Sequence, residues 1–158
     1  YVAPRGIGPT KWDQDAKKQT QHRRRFYLLG QTLDGMRVWD VCQAARSLRT
    51  IPRLAGTPLW MQSNRRMAGV TLYAALFLPD VQRLDLYELA PSHRQGPYLL
   101  NVRRIMDISQ AVAMAAERSR VGIYDSDRMG WEYPDAVIKN LGWDAKQIQI
   151  RGLPEGNN

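Results

Sequence analysis

The side chains able to do nucleophilic, acid–base or anion-binding chemistry are few and scattered in this sequence. The run LWMQSNRRMAGVTLYAAL, residues 59–76, reads as an apolar strand, a sharp polar break and a small-residue helix, and the break carries Arg65 and Arg66. A guanidinium stays protonated at any physiological pH and cannot attack carbon. At the N-terminus of a helix it can instead hold an anion, which the free N–H groups and the helix dipole there also favour, or it can close a salt-bridged turn. Ser63 is the nearest hydroxyl. Asp125 and Asp127 end the strand-like run IYDSD, where a carboxylate can orient a base or cap its own turn. His93 sits in the loop PSHRQGP, and Cys42, between Val41 and Ala45, reads as a small core residue. With one cysteine and two histidines there is no internal disulfide and no clustered metal-ligand spacing, so neither a metal nor a cofactor is expected.

The elements that must position these groups come from a chain of 158 residues, long enough for one domain with a substantial core and short for two. Its 44% hydrophobic and 24% charged content belongs to folded rather than disordered chains. No apolar run reaches the ~20 residues that span a bilayer, and nothing at the N-terminus looks like a signal peptide. The first residue is Tyr1 rather than methionine, so a piece of a longer chain is expected. The formal charge of +8 comes mostly from arginines, in runs such as Arg23-Arg24-Arg25, Arg65-Arg66 and Arg103-Arg104. Such a balance suits a polyanionic partner. Here the basic residues are dispersed and carry no nucleic-acid-binding signature, which argues against nucleic acid.

Along the chain, YVAPRGIG (1–8) reads as a strand entering a turn, and residues 9–21 as a polar loop. Residues 22–48 place Leu29, Leu33, Met36, Val41, Ala45 and Leu48 at helical spacing and predict one amphipathic helix, weakened by Gly30 and Gly35. A strand at LWMQ precedes a helix over about 67–78, which is apolar on nearly every face and so packed on several sides. VQRLDLYEL (81–89) reads as a strand. Residues 99–116 read as two helical pieces, with Asp107 and Gln110 spaced for a capping box. A strand at 120–127, a short helix at 133–142, a last strand at 146–153 and a frayed tail, PEGNN, complete the pattern. Strands alternating with helices of this length predict an α/β class with a mostly parallel sheet.

Taken together, VAPRGIG, RRFYLLGQTLDGMRVWDV, AGVTLYAAL, IYDSD and KNLGWDAKQIQIR resemble the C-terminal portion of an α/β-hydrolase, in the subgroup of acetyl xylan esterases and dienelactone hydrolases. The resemblance implies a partial fold of about five strands, the family's fourth to eighth, with helices on both faces and residues 1–158 forming a single domain. The partner implied is the missing N-terminal half of the same fold, which normally supplies a neighbouring strand and an oxyanion-hole N–H. Without it an exposed sheet edge favours self-association.

In this family Gly-x-Ser-x-Gly forms the strained turn that presents the nucleophile. Aligned on Ala68-Gly69, the five positions are Asn64-Arg65-Arg66-Met67-Ala68, and Arg66 stands at the nucleophile position, where it cannot serve. Asp125, or Asp127, matches the acid of the triad. The histidine expected after the last strand is absent from IRGLPEGNN. His93 is in the wrong topological place for it, but with Arg66, Met67 and Asp127 it is a candidate for lining a cleft at the strand ends. Losing two members of a triad removes its mechanism. The expectation is therefore an acetyl-ester-hydrolase-related domain with a degenerate elbow, non-catalytic by itself and structural or ligand-binding within a larger protein. An active carboxylic ester hydrolase in the intact parent and a basic module for nucleic acid or another anionic polymer are the alternatives.

Overall fold

The computed structural model describes residues 1–12 and 15–153. Four strands, β1 (Leu59–Asn64), β2 (Val81–Tyr87), β3 (Arg120–Tyr124) and β4 (Ile148–Arg151), pair in parallel in chain order. The helices are α1 (Ala16–Leu28), α2 (Leu33–Arg49), α3 (Arg66–Leu76), α4 (Ile108–Ala116) and α5 (Glu132–Leu141). Parallel neighbours need a crossover, and α3, α4 and α5 supply the three. The α/β class and the parallel sheet are as the sequence pattern predicts. Residues 1–8, read as the first of five strands, form a loop that ends in a 3-10 turn, Gly8–Thr10, so the described residues hold four strands. The tail PEGNN lies outside the described residues.

Helices cover one face of the sheet and not both. A parallel sheet in chain order, wound with right-handed crossovers, places every crossover helix on the same side. The packing agrees: α2 lies on α3, α3 on α4 and α4 on α5, in a row. Beneath them Leu84, Leu86, Val121, Ile123 and Ile148 are buried. The opposite face carries Trp60, 65% exposed, with the Arg83 guanidinium 5.0 Å from its ring centroid, and Tyr87 stacked on Tyr124 at 4.4 Å.

The central helix explains its own composition. In α3 Ala68, Val70, Leu72 and Ala74 are fully buried, since α2, α4, β1 and β2 enclose it. Gly69 is required there, because a Cβ would run into the ring of Pro97.

The single helix expected over 22–48 is two. Gly30, at φ +68°, accepts the left-handed geometry that closes α1: its N–H donates to Tyr27 O at 3.0 Å and the next N–H, of Gln31, to Phe26 O at 2.9 Å. This is the paired bonding of a Schellman stop. Thr32 then caps α2 by accepting from Gly35 N at 2.9 Å. At its other end α1 extends into the expected loop, where Asp15 caps it by accepting from Lys17 N at 2.8 Å. A helix with no buried residue shows no apolar period to read.

Leu72→Ala should cost about 2–5 kcal/mol, as expected for a fully enclosed leucine, and lower the urea midpoint accordingly. Leu28→Ala, in the same residue type but 87% exposed, should stay within about 0.5 kcal/mol of the parent.

Candidate functional site

The carboxyl ends of parallel strands are where α/β sheets present chemistry, and here they end in a row of charges. Arg65, Glu88 and Asp125 each follow directly on a strand and are held to the next one by their own N–H: Arg65 N donates to Tyr87 O at 2.8 Å, Glu88 N to Tyr124 O at 2.8 Å and Asp125 N to Arg151 O at 2.9 Å. Two of the three are strained. Arg65 has φ 52° and ψ −125°, and Glu88 has φ 48°. Such conformations cost about 1–3 kcal/mol each and persist only where the surroundings enforce them. The backbone bonds do so here, together with an ion pair from Arg65 Nε to Glu88 Oε2 at 2.9 Å. A cleft of about 310 Å³ opens beside this pair, lined by Arg65, Arg66, Gly69, Glu88, Pro97 and Tyr98 among others.

Behind the cleft lies a buried carboxylate. The Asp34 side chain is 0% exposed and accepts from Arg37 Nη1 at 3.0 Å, Arg66 Nη2 at 3.0 Å, Arg66 Nε at 3.1 Å and the Tyr98 amide at 2.8 Å. Arg37 is itself buried and donates further to Arg5 O at 3.0 Å and Gly6 O at 3.2 Å. Burial pushes the Arg37 pKa down, Asp34 opposes that and the charge of Arg66 adds to it. The Arg66 guanidinium also lies 5.6 Å from the Tyr98 ring centroid. One carboxylate thus ties α2, α3, the N-terminal loop and the segment around Tyr98.

The positive φ of the strand–helix turn falls on Arg65, one residue before the position that alignment on Ala68-Gly69 assigns. Arg66 is the first residue of α3, and the anion it holds is Asp34. Ser63 lies on β1 two residues before the strained position, with its Oγ buried and unpartnered among the described residues. Asp125 accepts from Ser126 N at 2.7 Å and Asp127 from Met129 N at 2.9 Å, so both cap turns. Met67 packs against the core and lines a groove of about 760 Å³ along the outer edge of β1, under α2.

His93 is 4% exposed. Its Nε2 is 2.7 Å from the Tyr73 hydroxyl and its Nδ1 2.8 Å from Pro97 O. The carbonyl can only accept, so Nδ1 carries a hydrogen and donates to Pro97 O, and Nε2 shares a hydrogen bond with the Tyr73 hydroxyl. Burial, helped by Asp107, pushes the Tyr73 hydroxyl up to about 12, which keeps it a donor. The histidine is built into the packing between α3 and the loop after β2 and is not among the residues that line the cleft. Cys42 is buried with its Sγ 3.7 Å from Ala74 O, and burial raises its pKa.

Sequence reasoning placed Arg65 in the break but assigned the turn's special position to Arg66, and it missed Glu88 and Asp34. A signal for Asp34 was present in TLDGMR, a threonine cap followed by an Asp–Arg pair at i, i+3, although nothing local says that the pair is buried. For Glu88 there was none, since its strain comes from the neighbouring strand. Among the described residues no group of three side chains is arranged to hold a metal, and no helix is long and apolar enough to cross a membrane. Comparison with protein-family models, curated proteins and solved structures finds no match.

Removing the shared carboxylate leaves two guanidiniums facing each other, and Asp34→Asn should destabilise the fold by about 3–5 kcal/mol in urea melts. The acid limb is also defined. Hydrogen bonding from Arg5 holds Asp40 below its ordinary 3.8, and at Asp107 burial raises the pKa but bonds from His93 N, Ser92 Oγ and Ile108 N outweigh it and hold it below 3.8. A depressed carboxylate stabilises above its unfolded value and loses that contribution as pH falls through the folded one. Stability should therefore drop below about pH 4, and Asp107→Asn should flatten that slope.

Proposed function

We propose that this chain is the non-catalytic C-terminal part of an α/β-hydrolase-like domain, related to acetyl-ester hydrolases, with a structural or ligand-binding role in a larger protein. The observation that carries the reading is Arg65. A strained turn between a strand and a buried helix is the shape that lifts a nucleophile above the sheet in that fold, and the residue on it is a guanidinium paired with Glu88. The turn-capping of Asp125 and Asp127 points the same way. The groove along β1 supports the partner implied by the reading: it follows the unpaired edge of the sheet between α2, with Val41, Ala45 and Leu48, and the N-terminal loop, with Tyr1, Val2, Pro4 and Ile7.

Hydrolysis of 4-nitrophenyl acetate by the full-length protein, with fluorophosphonate labelling alongside, tests the reading. No turnover attributable to residues 1–158 and no labelled serine within them are expected. A labelled serine in this segment, Ser63 above all, overturns it. The strained turn is tested by stability. Arg65→Gly and Arg65→Val both lose the ion pair, but only valine keeps the steric conflict, so it should be the less stable by about 1–3 kcal/mol in urea.

A further inference from the structure

We propose a second binding site, between α1 and the Asp34 cluster, that takes a small aromatic anion: a single aromatic ring bearing a carboxylate or a phosphate. A cavity of about 190 Å³ lies there, lined by Lys11, Trp12, Arg23, Phe26, Arg37 and Arg66 among others. Its charge is one-sided. Asp34, behind the wall, is divided between Arg37 and Arg66, and Asp40, which also acts on Arg37 through its charge, is bonded to Arg5. Arg23 reaches only Gln19 O and the Thr20 hydroxyl, each at 3.4 Å, and the Lys11 ammonium has no partner among the described residues. The site so carries cationic charge in excess of its acids, with Arg37 fixed in place by burial and its bonds to Arg5 O and Gly6 O. Charge-assisted bonds from such preorganised guanidiniums are the strongest that a carboxylate or phosphate can receive.

The apolar part of the wall selects the body of the ligand. Trp12 stands at 5.8 Å and 60° to Phe26 and at 6.1 Å and 31° to His22, a tilted cluster whose remaining faces and edges suit a further ring. The volume selects its size. About 150 Å³ suffices for benzene, while drug-sized ligands need roughly 300 Å³ or more, so one ring with its anionic group fits and a nucleotide does not. The site also accounts for α1, which buries none of its described residues yet stands over this cavity through Arg23 and Phe26. The inference does not rest on the hydrolase reading, since none of its groups is part of the strained turn except Arg66, whose role here is charge alone.

Isothermal titration of the full chain with benzoate and with phenyl phosphate, at low salt, tests it. Cyclohexanecarboxylate serves as the non-aromatic control and benzyl alcohol as the neutral one. Saturable one-to-one binding is expected for at least one aromatic anion, roughly fivefold or more tighter than for either control. The arm that binds tells carboxylate from phosphate. Arg23→Gln and Trp12→Leu should each weaken binding by about fivefold or more, whereas Arg128→Gln, the same charge loss elsewhere, should leave it within about twofold. Trp12→Phe, which keeps a ring, should recover most of the affinity if Trp12→Leu lowers the melting temperature. The proposal fails if neither aromatic anion saturates, if the controls bind equally well, or if Arg23→Gln and Arg128→Gln weaken binding alike.

Discussion

A single carboxylate, Asp34, holds the framework together. It is fully enclosed, and a buried charge is tolerable only when its lone pairs are matched by donors in good geometry. Arg37, Arg66 and the Tyr98 amide supply them from three separate segments. Because Arg37 also bonds Arg5 O and Gly6 O, the N-terminal loop is fastened to the same point. Four pieces of chain far apart in sequence have their positions set by one side chain, and the arrangement is specific in a way that apolar contact is not.

The strained turn after β1 depends on that fastening. Arg65 is forced to positive φ between a strand whose register is set by β2 and a helix whose first residue is bonded to Asp34. With both ends fixed, the peptide between them takes the conformation that remains. Glu88 is held in the same way, by β3 through Tyr124 O, and the two strained residues are brought into an ion pair. Two adjacent, outward-pointing charges at the carboxyl end of the sheet result from backbone constraint more than from mutual attraction, which for so exposed a pair is small.

The one-sided layering has consequences of its own. The helix row buries the aliphatic residues of each strand, and the alternate residues, Trp60, Arg83, Tyr87 and Tyr124 among them, are left to face outward. They satisfy one another through stacking and a cation–π contact. Gly122 makes room for this surface, since a Cβ there would crowd Asp85 and the Tyr124 ring. At β1 the same layering leaves an edge whose neighbour position is roofed by α2, so the outer edge and the open face are distinct surfaces with different chemistry.

Local physics made much of the fold legible. The all-round apolar helix after LWMQ, the Asp107–Gln110 capping box and the helix ending at Gly142 rest on interactions within a few residues and form where the pattern puts them, and the alternating runs read as strands over 81–89 and 146–153 form shorter strands at 81–87 and 148–151. What the tertiary structure decided involves partners distant in the chain. Residues 1–8 carry strand-like types but do not pair with the free edge of β1, whose groove Tyr1, Val2, Pro4 and Ile7 help to line; they follow the bonds of Pro4, Ile7 and Arg37 instead. One boundary is a local exception: Gly30 has the same helix propensity whether it weakens a helix or ends one, and the bonds that end α1, from Gly30 N to Tyr27 O and from Gln31 N to Phe26 O, lie within five residues. Which of two adjacent arginines bears the strain is set by the register with β2, and that Arg66 meets an anion at all is set by the burial of a residue 32 positions earlier. Amino-acid sequence alone therefore determined most of the strands and helices from residue 59 onward, while the charges at the strand ends acquired their places only when those elements were packed, because burial and cross-strand register are not local quantities.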